Sequence, residues 1–60
     1  MKTVKEIHEE LKSSGLSSRE AAQAIADKMG RSIHTVYGWI GKRPPPADTL
    51  ELLNQRFNSS

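Results

Sequence analysis

Residues 24–39 read AIADKMGRSIHTVYGW. Apolar residues recur there at helical spacing, the rhythm breaks at Gly30, and it resumes within three residues. Glycine supplies the left-handed backbone that ends a helix, and Ser32 offers a side-chain oxygen that can begin another. The chain therefore turns one helix abruptly into a second, with no room for a strand between them. A chain of sixty residues buries only about 60% of its unfolded surface. Whatever else it contains must close tightly over this helical pair.

The flanking sequence supplies two more helices. Thr3 is a plausible N-cap, followed by Val4, Ile7 and Leu11 at i, i+3 and i+7. Ser13, Ser14 and Gly15 then stop a helix over about 3–13. In SSRE, Ser17 and Glu20 have the spacing of a capping box. The helix over about 18–29 that follows turns Ala22, Ile25, Ala26 and Met29 inward, with Leu16 placed to staple onto Ala21. From about 32 to 40, Ile33, Val36, Trp39 and Ile40 cluster on one broad side. His34 and Gly38 fall opposite them, and Thr35 and Tyr37 lie on the flanks. Val36 and Trp39 are thus expected to be buried and His34 exposed. The GKRPPP segment breaks the pattern, because each proline holds the residue before it extended. A last helix spans about 46–57, with proline suited to its first turn and with Leu50, Leu53 and Phe57 inward. Leu52 points roughly the other way. No stretch has strand-like alternation, so the fold class expected is an all-α, single four-helix domain over residues 1–60.

The charge of the chain is uneven. Lys2, Lys5 and Lys12 are cancelled by Glu6, Glu9 and Glu10, but from Lys28 to Ala47 every charged residue is basic: Lys28, Arg31, Lys42 and Arg43. A local basic zone suits a polyanion, although a solvated face has the same composition. There is no cysteine, and His8 and His34 lack the spacing of a zinc pair. No metal or cofactor is expected. His8 lies beside the apolar face of the first helix, where a structural or solvent-facing role is expected. The N-terminal MKTVKEIHEELK has no apolar run, so neither a signal peptide nor a membrane span is expected. No nucleophile stands next to a base, no phosphate loop occurs, and so small a helical domain rarely encloses a substrate pocket. Binding is expected rather than catalysis.

Two helices joined at a glycine turn form a helix-turn-helix pattern. Here Ile25-Ala26, then Met29-Gly30, then Ser32, Val36 and Trp39, resemble the phage repressor and Cro family. The GKRPPPADTLELL segment is similar to that family's loop and following helix, and the resemblance covers roughly residues 16–57. Three departures stand out. Arg31 occupies the position after the turn glycine, where that family often has an apolar residue, and Ile33 opens the next helix where a polar residue is common. The helix before the turn is also about one turn longer than in many members.

The resemblance implies a sequence-specific transcriptional regulator, a Cro-type repressor in the cytoplasm of a bacterial host, that binds a palindromic double-stranded operator. Its recognition helix would lie in the major groove, which maps Ile33, His34, Tyr37 and Gly38 onto base-facing positions. His34 suits the acceptors of guanine, Ile33 suits a thymine methyl or else the core, and Gly38 permits close approach. Tyr37 either offers its hydroxyl or packs its ring on the helix flank. Phosphate contacts would come from Arg31, Ser32, Thr35, Lys42 and Arg43, with Arg19 and Gln23 on the preceding helix. Arg43 could instead reach the minor groove. Leu52 is the candidate contact of a weak homodimer that strengthens on DNA. Two other readings fit the same residues: a helical protein–protein module such as an antirepressor or adaptor, and a DNA-binding excisionase or packaging-initiation domain.

Overall fold

A computed structural model describes residues 1–58 and contains four helices: α1 (Val4–Ser13), α2 (Ser18–Met29), α3 (Ile33–Gly41) and α4 (Ala47–Asn58). No strand occurs among the described residues. The chain is an all-α four-helix domain, and each boundary lies within one residue of its sequence expectation.

Local chemistry explains each start and stop. Thr3 and Ser17 are N-caps with full capping boxes: the Glu6 and Glu20 backbone N–H groups donate to the cap hydroxyls, and the two carboxylates accept from the cap N–H groups. The first box is an addition to the sequence reading, although Thr3 and Glu6 have the same spacing as Ser17 and Glu20. Helix α1 ends in a Schellman motif. Gly15, at φ 111°, donates to Lys12 and Leu16 donates to Leu11. Gly30 ends α2 at φ 65°, and the Arg31 N–H returns to the Ala26 carbonyl at 3.0 Å. Ser32 caps α3 by accepting from the Thr35 N–H. The Pro46 carbonyl accepts the first bond of α4, from Leu50.

Helix α2 is the hub and packs against the other three. Its buried Ala22 and Ala26 are one turn apart, and side chains so short let neighbouring backbones come close. The largest fully buried side chains are Ile25 of α2, Val36 of α3 and Leu53 of α4. Val4 and Ile7 of α1 complete this core, and Leu11, Met29, Ile33, Trp39, Ile40, Leu50 and Phe57 pack around it, partly buried. Val36 is fully buried and Trp39 packs against the core, while the remaining exposed part of the Trp39 residue lines a groove formed by the chain beyond α3.

Two buried polar groups lock the helices together. The His8 Nε2 lies 2.9 Å from the Ser18 carbonyl and ties α1 to the start of α2, so of its two expected roles His8 takes the structural one. Asn54, on the inner side of α4, bonds the Lys2 backbone through both its amide oxygen and its amide nitrogen.

Candidate nucleic-acid interface

The turn Gly30–Arg31–Ser32 positions α3, and the burial of Val36 fixes its rotation. With Val36 at zero exposure, His34 and Tyr37 are turned outward, and Tyr37 keeps 41% of its surface. Ile33 is partly buried and packs against the core. Gly38 has nothing within 4 Å of where a Cβ would stand. The outer face of α3 therefore offers an imidazole, a phenol and a stretch of accessible backbone.

The cations are available. Arg19, Arg31, Lys42 and Arg43 are exposed. The ion pairs among the described residues join Lys2 to Glu10 and Lys12 to Glu9, so acids around α1 engage the N-terminal lysines and leave these four cations unpaired. Gln23 is exposed as well, but its amide donates to Asp27 at 3.0 Å, which puts a carboxylate next to it. Ser32 and Thr35 share a hydroxyl contact at 3.0 Å while Ser32 also caps the helix. Any anion at this end would meet backbone N–H groups as much as hydroxyls.

The helix starts differ in their electrostatics. Acids occupy the first turns of α1 (Glu6), α2 (Glu20) and α4 (Asp48), whereas α3 has none. The positive end of the α3 macrodipole is left uncompensated, with Arg31 beside it. Glu20 is held below its ordinary value by the Ser17 backbone N–H and then by the Ser17 hydroxyl, which keeps it charged and committed to its cap.

Beyond α3 the Arg43 N–H bonds the Gly38 carbonyl at 2.9 Å and turns the chain into the prolines. Gly38, Trp39, Lys42, Arg43 and the three prolines line a groove of about 490 Å³. Helical spacing alone does not show such a groove; the signal available in the sequence was a tryptophan followed by KRPPP.

Among the described residues no group of three His, Asp or Glu side chains gathers to hold a metal ion, and no helix is long and apolar enough to cross a membrane. Comparison with protein-family models, curated proteins and solved structures finds no match to this chain. The functional reading therefore rests on the site itself.

Proposed function

We propose that this chain is a sequence-specific double-stranded DNA-binding regulator that represses transcription by occupying an operator, as Cro-type proteins do. One observation carries the reading: α3 follows a three-residue turn with Val36 locked into the core, its first turn has no acid, and exposed cations, unpaired among the described residues, stand at both its ends. An α-helix with its side chains is about 10–12 Å across, which suits a major groove about 12 Å wide. His34 and Tyr37 would meet base edges there, with Gly38 allowing close approach. Arg31 and the α3 N-terminus would meet one phosphate run, and Lys42 and Arg43 another. Arg19 would reach the backbone from α2. The role is recognition in the cytoplasm, without a cofactor and without catalysis.

Selection of bound duplexes from a random pool tests this. The expected product is a palindrome with half-sites about one helical turn apart. Lys42→Ala or Arg43→Ala should weaken binding to all sequences alike and reduce the salt slope by about one. His34→Ala should instead lose about 1–3 kcal/mol of discrimination at one position. No enriched sequence, together with an affinity indifferent to salt, would overturn the reading.

A further inference from the structure

The groove beside Trp39 has a composition that DNA contact does not require. Its walls are half-buried Trp39, buried Pro45 and exposed Pro44 and Pro46, while Lys42 and Arg43 stand beside them. Prolines have no N–H to offer a phosphate, so most of this lining suits an apolar group. Each proline ring also fixes its own φ, which lowers the ordering cost of filling the groove. The cations are unpaired among the described residues, and no acid occurs from Lys28 to Ala47.

We propose that this groove docks an extended acidic segment of a partner protein, with one aromatic or aliphatic side chain seated between Trp39 and the prolines and flanking carboxylates on Lys42 and Arg43. Charge complementarity selects an acidic occupant, and the apolar walls demand an anchor within it. Lys42, Arg43, Pro44 and Pro46 are all exposed along the groove, which favours a chain lying along it over a small molecule, which a pocket would bury by about 70–90%. Gly38, Lys42 and Arg43 belong to this groove and to the proposed DNA face, so segment and duplex would exclude one another. The partner would act as a release factor for the regulator.

Trp39 is the single tryptophan of the chain and reports on the groove directly. The probe is an end-blocked peptide with one phenylalanine flanked by two aspartates on each side, titrated into the full chain without DNA. The expected result is a saturable blue shift of Trp39 emission, together with amide shifts centred on residues 38–43. Replacing the phenylalanine by alanine, or the aspartates by lysines, should abolish it. Lys42→Ala and Arg43→Ala should each weaken it about two- to fivefold. An absence of saturation by about 5 mM, or equal binding of the alanine peptide, would overturn the proposal. Since no duplex is present, neither outcome bears on DNA recognition, and failure of DNA binding would leave this titration readable.

Discussion

Asn54 joins segments 52 residues apart in the chain. Its Oδ1 accepts from the Lys2 N–H at 2.9 Å, and its Nδ2 donates to the carbonyls of Lys2 at 2.8 Å and Leu50 at 2.9 Å. A primary amide carries an acceptor oxygen and a donor nitrogen side by side, so it can serve a peptide N–H and a peptide C=O at once. The segment before α1 is thereby anchored to the last helix, which closes the core over Val4. Asn54→Ala should leave both Lys2 groups without partners at a part-buried site, at a cost of about 1–3 kcal/mol. Urea unfolding measures it, and a change below about 0.5 kcal/mol would show the clip to be inert. Asn54→Asp separates packing from bonding, because it keeps the acceptor but faces a carboxylate toward two carbonyl oxygens. At neutral pH it should be at least as costly as alanine.

At the scale of elements, the caps make stability depend on acid. Glu6 is held below its ordinary value of 4.5 by the Thr3 backbone N–H and then by the Thr3 hydroxyl, and Glu20 by the same groups of Ser17. Both carboxylates have folded values below unfolded ones. Their contribution is complete above about 4.5 and is lost as pH falls through the lower folded values. The urea midpoint should decline on acidification in that range. The Glu6→Gln, Glu20→Gln double variant, which preserves capping without titrating, should show a shallower decline; an equal decline would place the acid sensitivity elsewhere. The elements themselves were legible because their signals are local. A cap, a three-residue interval to glutamate and a glycine in positive φ act within one turn of chain, so Ser17–Glu20 and Gly30 mark helix ends without tertiary information. The outward set on α3 was legible for a related reason, since Val36 at the centre of an apolar stripe fixes the side on which His34 lies. The Asn54 clip and the Trp39 groove were not. Each depends on a meeting of distant or irregular segments, Lys2 with α4 and three prolines with α3, that no helical period encodes.

The whole molecule is too small to read a palindrome alone. One copy carries a single α3 and its Cα trace spans 28 Å at most, whereas half-sites one turn apart are separated by about 34–36 Å. On the palindromic operator proposed above two copies would therefore lie side by side, and a two-fold contact between them would set both α3 helices toward successive major grooves. Leu52 is the candidate for that contact. It keeps 40% of its surface on the side of α4 away from buried Leu53 and Asn54. Neighbouring Arg56 is drawn to the end of α2, where it donates to the Lys28 carbonyl at 2.6 Å. A patch centred on one leucine is far smaller than a stable interface of about 1,200–2,000 Å². Association should accordingly be weak in solution and stronger where DNA holds two copies side by side. Leu52→Glu should leave the fold intact, since the side chain is already exposed, and should leave affinity for a single half-site nearly unchanged. It should reduce cooperative occupancy of the two-half-site operator, because two like charges would then face each other across the axis. Sedimentation and gel-shift titrations on both duplexes measure these quantities, and undiminished cooperativity in the variant would remove Leu52 from the interface.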